Sequence, residues 1–253
     1  LPASLQSIEA GAFGSCGNLA RIEVDPNSNS FWSDEQGVLY SKDRTTLFQM
    51  GGGYQGAYRV DAATTVIAGN ACKEVKGLTE VRTQGEVCQV GNFAFYGCEN
   101  LQLADLGGSL ESIGEYAFDS CISLASITIP GSVTKIGSYA FQFCESLTEA
   151  TIHAGITDIP KGLFAHCKAL TSVTMPQTIS GIGERAFEGC EVLPSVVIPE
   201  GVTAIGNYAF QSCKSLQSVI LPESVTDIGY NAFQGCSSLS GIILPEGITE
   251  LSS

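Results

Sequence analysis

One arrangement of apolar and polar positions returns every 23 residues along most of this chain. It reads clearly in Ile113-Gly114-Glu115-Tyr116-Ala117-Phe118, followed by Cys121, Leu124, Ile127, Ile129 and Pro130. The same order recurs at Ile136, Gly137, Ala140, Phe141, Cys144 and Leu147, and again at Ile205, Gly206, Ala209, Phe210, Cys213 and Leu216. Leu78, Leu101, Leu124, Leu147, Leu170, Leu193, Leu216 and Leu239 hold one unbroken register, so the units must be structurally equivalent.

Within a unit, Leu-x-x-Ile-x-Ile alternates apolar and polar residues at its end, which predicts a short strand with one buried face. Ala-Phe-x-x-Cys places Ala140, Phe141 and Cys144 on one side of about a single helical turn, too short to stand alone. Gly before that turn and Pro after the strand make the corners. A unit this small cannot bury its apolar side by itself, so units must stack, with parallel strands about 4.8 Å apart. The predicted fold class is an α/β solenoid, a right-handed superhelix with a parallel sheet on the concave side and short helical turns on the convex side.

The pattern breaks at residues 25–59. An earlier copy, Ile8, Ala12, Phe13, Cys16, Leu19, Ile22 and Val24, sits 59 residues before the Leu78 unit, one period plus an insertion of 36. Asp25-Pro26-Asn27-Ser28-Asn29 is turn chemistry. Gly37-Val38-Leu39-Tyr40 and Thr45-Thr46-Leu47-Phe48 flank Lys42-Asp43-Arg44 and predict a β-hairpin laid against the coil. Trp32, the only tryptophan, falls here, either packed beneath the hairpin or exposed to a ligand. Residues 1–253 are expected to form one repeat domain carrying the insertion 25–59. The last unit stops at Ile248, Leu251 and Ser253 without a polar cap, which predicts a piece of a longer chain.

The repeating surface positions of the strands form two rows on the concave face. The first runs Arg21, Glu80, Leu103, Ser126, Glu149, Ser172, Ser195, Ser218, Gly241; the second runs Glu23, Arg82, Asp105, Thr128, Thr151, Thr174, Val197, Ile220, Ile243. The first becomes small and hydroxylated toward the C-terminus, and the second passes from charged residues through Thr to Val and Ile. Thr128, Thr151, Thr174, Val197, Ile220 and Ile243, with Ser172, Ser195 and Ser218, are the candidate partner-binding residues. Exposed Val and Ile in adjacent strands mark either an interaction patch or residues chosen as strand formers.

Charge narrows the partners. A formal net charge of −14 and few cations argue against nucleic acid, whose binding rests on Lys and Arg displacing counterions. No apolar run approaches the roughly 18 residues of a membrane-spanning helix, and no secretory signal opens the chain.

Candidate chemistry is sparse, and no catalytic residue, cofactor or metal is expected. Cys98, Cys121, Cys144, Cys167, Cys190, Cys213 and Cys236 recur once per unit, and no two of the ten cysteines lie closer than ten positions, so no zinc-type Cys-x-x-Cys exists. Side chains pointing the same way suit a relaxed disulfide poorly, so these read as buried free thiols. Cys72 and Cys88 fall outside that series and are the candidate exceptions. Gly181-Ile182-Gly183-Glu184-Arg185-Ala186 fits a dinucleotide fingerprint only by belonging to the repeat. His153 and His166 lack a nucleophile and supporting carboxylate at any motif spacing.

The string Ile-Pro-x-Ser-Val-Thr-x-Ile-Gly-x-x-Ala-Phe-x-x-Cys-x-Ser-Leu, approached at Ile129–Leu147 and Leu221–Leu239, resembles the BspA-like leucine-rich repeat family, as do Gly37-Val38-Leu39-Tyr40 and Lys42-Asp43 in the insertion. Residues 60–106 depart from it, with Cys72 at a Phe position, Val75 at a Cys position and Cys88 in a new place. The resemblance implies secreted or surface-attached proteins of anaerobic gut and oral bacteria and of some parasitic protists, associated with adhesion to host proteins and other cells. The expected function is therefore non-catalytic protein binding at the cell surface, to host extracellular matrix or another surface protein. The alternatives are a structural spacer displaying another domain and, third, a carbohydrate-binding module.

Overall fold

The computed structural model describes residues 1–153 and 155–248. Leu251 and Ser253, on which the unfinished last unit was read, lie outside the described residues. The chain winds as stacked coils, and each regular coil contributes two short strands joined by tight turns. The Leu-x-x-Ile-x-Ile motif forms the longer of the two, such as Ser126–Ile129 and Glu149–Ile152, paired in parallel with Thr128 opposite Thr151. The second is formed by the residues just before the Gly of Ile-Gly, such as Ser112–Ile113 and Lys135–Ile136, again parallel and in register. That second ladder goes beyond the sequence reading.

The helical turns do not form: among the described residues there is no helix. The reason is where the backbone N–H groups point. Tyr116, Phe118 and Ser120 donate to Ser138, Ala140 and Gln142 of the next coil at 3.1, 2.8 and 2.9 Å, while Asp119 and Cys121 donate three residues back at 3.2 Å. An α-helix needs bonds four residues back along one segment; here alternate amides leave for the neighbouring coil. Tyr116 and Ser120 take left-handed φ values of 53° and 61° to allow it. The repeat's apolar residues thus cover the core from a bonded ladder of turns.

Side chains from Val38 onward meet in one continuous core, while the N-terminal unit packs a separate small cluster around Ile22, Phe31 and Leu39. Phe95, Phe118, Phe141, Phe164, Phe187 and Phe210 are fully buried and stack ring upon ring, with neighbouring centroids 5.0 to 5.9 Å apart. Ala, Cys, Leu and Ile of each unit flank them.

Two prolines segment the sheets. In the second ladder the Gly amide of each coil donates to the Ile, or Val, carbonyl of the coil before it, as Gly137 does to Ile113 at 2.8 Å and Gly183 to Ile159 at 2.8 Å. Pro160 occupies that position between them and has no N–H. The ladder accordingly breaks between Lys135–Ile136 and Asp158–Ile159, ending one sheet and starting another. Pro194 does the same beside the longer strands: Thr171 and Gln217 donate to the preceding coil at 2.9 and 3.0 Å, Pro194 cannot, and Ser172–Thr174 does not pair with Ser195–Val197.

Residues 25–59 are built into the solenoid rather than laid on it. Strands β1 (Phe31–Ser33), β2 (Leu39–Ser41) and β3 (Thr46–Gln49) form an antiparallel meander, and the free edge of β3 pairs in parallel with β5 (Val66–Ile67). Strand β4 (Gly56–Val60) pairs in parallel with β6 (Leu78–Thr83), as a regular long strand would. So β3 and β4 make a coil whose turn is cut to Met50-Gly51-Gly52-Gly53-Tyr54. A Cβ on Gly52 would sit 2.7 Å from the Cys16 carbonyl oxygen, which is why the shortened turn is glycine. A polar network ties the meander down: Asp34 accepts from Val38 N at 2.8 Å and Tyr58 Oη at 2.6 Å, and Tyr58 meets Tyr40 Oη at 2.5 Å. Trp32 packs half-buried on Tyr40, ring centroids 5.6 Å apart, with the Arg44 guanidinium over its ring.

Candidate functional site

The two predicted rows are rows in space. Ser126, Glu149 and Ser172 are cross-strand neighbours, as are Thr128, Thr151 and Thr174. Past the Pro194 break, Ser195 opposes Ser218, Val197 opposes Ile220, and Ile220 opposes Ile243. Thr151 is half-buried; Thr128, Thr174, Ser172, Ser195 and Ser218 are exposed. Val197, Ile220 and Ile243 are 77%, 80% and 86% exposed, far above every other large apolar residue of the described chain. Their inward neighbours Val196 and Val219 are buried, so the strands' alternation fixes which side chains face out. The rows also extend to Ala57 and Arg59, opposite Glu80 and Arg82, which the interrupted repeat concealed.

The two halves of this face differ electrostatically. Toward the N-terminus Arg82 lies 3.3 Å from Glu80 and 3.9 Å from Asp105, while Arg59 and Glu149 form no ion pair among the described residues. Toward the C-terminus no charged residue stands in either row from Ser172 onward.

Other chemistry is absorbed by the fold. Each ladder thiol donates to a carbonyl oxygen of the preceding coil: Cys121 Sγ to Phe95 O at 3.2 Å, Cys144 Sγ to Phe118 O at 3.3 Å, Cys213 Sγ to Phe187 O at 3.2 Å. Burial pushes Cys98 up to about 12 and Cys236 up to about 11, holding both as thiols at neutral pH. All ten cysteines are free; Cys16 is exposed and Cys88 half-buried, whereas Cys72 is buried. A chromogenic thiol titration should therefore find two fast groups in the native protein and ten after denaturation. A denatured count near zero would mean an oxidised ladder.

Gly181–Ile182 is a two-residue strand followed by a turn, so the fingerprint's glycines have no helix N-terminus to present. His166 stacks on Phe143, centroids 4.8 Å apart, and His153 is exposed on a corner. No group of three or more His, Cys, Asp or Glu among the described residues is arranged to hold a metal ion.

Asp119 is the one acidic residue buried among the described residues, with a single side-chain hydrogen bond, from Ser120 Oγ at 2.7 Å. Its counterpart Glu188 pairs with Arg185 at 2.8 Å, but the residue equivalent to Arg185 beside Asp119 is Tyr116. Burial therefore raises the Asp119 pKa above the ordinary carboxylate value. A raised folded-state value means the fold binds this proton more tightly than the unfolded chain does, so this group's contribution to stability declines as pH rises through that window. Asp119→Asn should raise stability at pH 7 and flatten the fall of the thermal midpoint as pH rises above the ordinary carboxylate range. An unchanged or lowered midpoint at pH 7 would contradict the assignment.

Known proteins place this architecture. A leucine-rich repeat protein from Eubacterium ventriosum superposes with a TM-score of 0.74 at 27% identity, over 98% of this chain and 60% of its own. A leucine-rich cell surface protein from Faecalibacterium prausnitzii matches with a TM-score of 0.59 at 26% identity, over 90% of this chain and 80% of its own. The leucine-rich repeat protein of T. pallidum gives 0.57 at 25%, over 86% of this chain and 91% of its own. The chain thus spans about 60% of the length of the Eubacterium protein. No curated protein matches it. The model of the BspA type leucine-rich repeat region matches in six copies at residues 1–34, 65–192 and 157–253. With the repeat, its coils and its fold relatives in agreement, the chain belongs to the BspA-type leucine-rich repeat family.

Proposed function

We propose that this chain is a non-catalytic protein-binding module of a secreted or surface-attached protein, acting in adhesion to host proteins or other cells. Its binding face is the long-strand sheet around Val197, Ile220 and Ile243, edged by Ser172, Ser195 and Ser218 and continuing onto Thr128, Thr151 and Thr174. The observation that carries this is the run of three aliphatic side chains, 77–86% exposed, in consecutive coils.

Strand propensity does not account for that run. Thr already supplies a β-branched, polar residue at the same position in the three preceding coils, Thr128, Thr151 and Thr174. Replacing it by Val and Ile adds apolar surface that the fold leaves in water. Covering such a side chain with a partner contributes about 1.5 kcal/mol or more. Contiguous exposed apolar surface is the usual mark of a protein contact. The fold family and the Faecalibacterium relative, described as a cell surface protein, support the location.

The triple replacement Val197→Thr, Ile220→Thr, Ile243→Thr should weaken binding to immobilised host matrix proteins at least about tenfold, with the thermal midpoint nearly unchanged. Unaltered affinity would remove the patch. The spacer reading has one observation in its favour, the self-paired charges of Glu80, Arg82 and Asp105, and predicts that no matrix protein is retained at all. The carbohydrate reading gains no platform from Phe93, Tyr116 and Tyr139, which stack on each other 5.0 and 5.1 Å apart.

A further inference from the structure

The apolar row is bordered by a row of carboxylates that no cation among the described residues neutralises. Each of its three strands runs into a buried proline followed by an exposed glutamate: Val197-Ile198-Pro199-Glu200, Ile220-Leu221-Pro222-Glu223 and Ile243-Leu244-Pro245-Glu246. The fixed proline turn presents each glutamate at the same point of its coil. Coils about 4.8 Å apart therefore stack three carboxylates in line beside the patch. At about 5 Å in water each adjacent pair repels by roughly 0.8 kcal/mol.

Elsewhere like charges meet across coils at Arg59 and Arg82, but most charges that face each other between coils are opposite in sign. Equivalent positions in neighbouring coils carry opposite charges and pair: Lys76 with Glu99 at 2.6 Å, Glu145 with Lys168 at 2.6 Å, Lys161 with Glu184 at 2.9 Å, Glu191 with Lys214 at 3.0 Å. Glu200, Glu223 and Glu246 form no salt bridge among the described residues. The sole cation between Phe187 and Ile248 is Lys214, already engaged by Glu191.

We propose that the occupant of this face is a basic amphipathic protein segment, whose apolar side chains cover Val197, Ile220 and Ile243 while its Lys or Arg residues meet Glu200, Glu223 and Glu246. The assignment rests on the binding face described above and adds the partner's chemistry to it. Charge complementarity selects this occupant: an acidic segment would be repelled along one whole side, and so would an anionic membrane surface. A partner cation bridging two stacked carboxylates relieves a repulsion the free protein carries, so attraction strengthens specifically in the bound state.

The test uses three fluorescent peptides, of alternating Leu and Lys, Leu and Glu, or Ser and Lys, titrated with the chain and with two variants. The Leu/Lys peptide should bind, weaken as salt rises, and lose at least about tenfold in affinity on Glu200→Gln, Glu223→Gln, Glu246→Gln, while the thermal midpoint holds or rises as the repulsion is removed. It should lose a similar factor on Val197→Thr, Ile220→Thr, Ile243→Thr, and both other peptides should bind weakly. Equal binding of the Leu/Glu peptide, or an unchanged affinity of the Gln variant, overturns the basic partner while leaving the apolar face in place. Equal binding of the Ser/Lys peptide shows attraction by charge alone and also overturns it. Failure of the Thr variant to weaken binding removes the face itself. Retention of the chain on phosphatidylserine vesicles, lost in the Thr variant, would make the occupant a lipid surface instead.

Discussion

Phe141→Ala should cost about 3–5 kcal/mol and abolish cooperative unfolding of the chain as a single unit. Phe141 is fully buried and stacked between Phe118 and Phe164, with centroids 5.2 and 5.9 Å away, and it lies near the middle of the ring column. Coils in a solenoid are stabilised mainly by their neighbours, so a cavity here weakens two interfaces together. It also sits one coil before the Pro160 break, where a ladder of inter-coil hydrogen bonds is already missing. Chemical denaturation followed by fluorescence and by far-ultraviolet circular dichroism should therefore give transitions that no longer coincide, the two sides melting apart. A single coincident transition with a loss under about 1 kcal/mol would show that coupling through the ring column is minor.

Gly137→Val is the second severe change, expected at about 3 kcal/mol. The position needs glycine for closeness, not for a left-handed φ. A Cβ there would stand 2.6 Å from both Glu115 Cα and Gly114 C, backbone atoms that cannot swing aside. Pro160 shows what a side chain does at the equivalent position. Around its coil the ring spacing opens to 5.9 and 5.8 Å, against 5.0 to 5.4 Å between the other stacked phenylalanines, and the adjoining ladder is broken. Leu163, standing where its neighbours carry Ala, adds bulk to the same coil. A second wedge immediately beside that one would separate coils over two consecutive interfaces. Thermal unfolding and hydrogen exchange should report it, with protection lost first at the Gly137 and Tyr116 amides, which bond across that interface; an undisturbed exchange pattern would show that the coils can spread without penalty.

Much of the candidate site was legible before any coordinates. Because strand side chains alternate and the unit length is constant, positions 23 apart had to become neighbours, which placed Val197, Ile220 and Ile243 side by side. The acidic border was equally present in the text as Pro-Glu after three successive strands, yet it acquires meaning only against the ion pairs that bridge coils elsewhere. Ala57 and Arg59 were hidden because the shortened turn of their coil removes the Phe and Cys by which a repeat is recognised.

What the sequence determined by itself was the period, the stacking, the buried column and the outward rows, since each follows from which residues need water and which must leave it. What only the tertiary structure decided was the conformation of Ala-Phe-x-x-Cys. Its spacing suits one turn of helix, and propensity offers no objection; but an amide in a lone turn has few partners within its own segment, whereas a stacked neighbour holds a carbonyl at 2.8 Å. Hydrogen bonding to the next coil outcompetes bonding along the chain, and so the covering side of this solenoid is a ladder of turns.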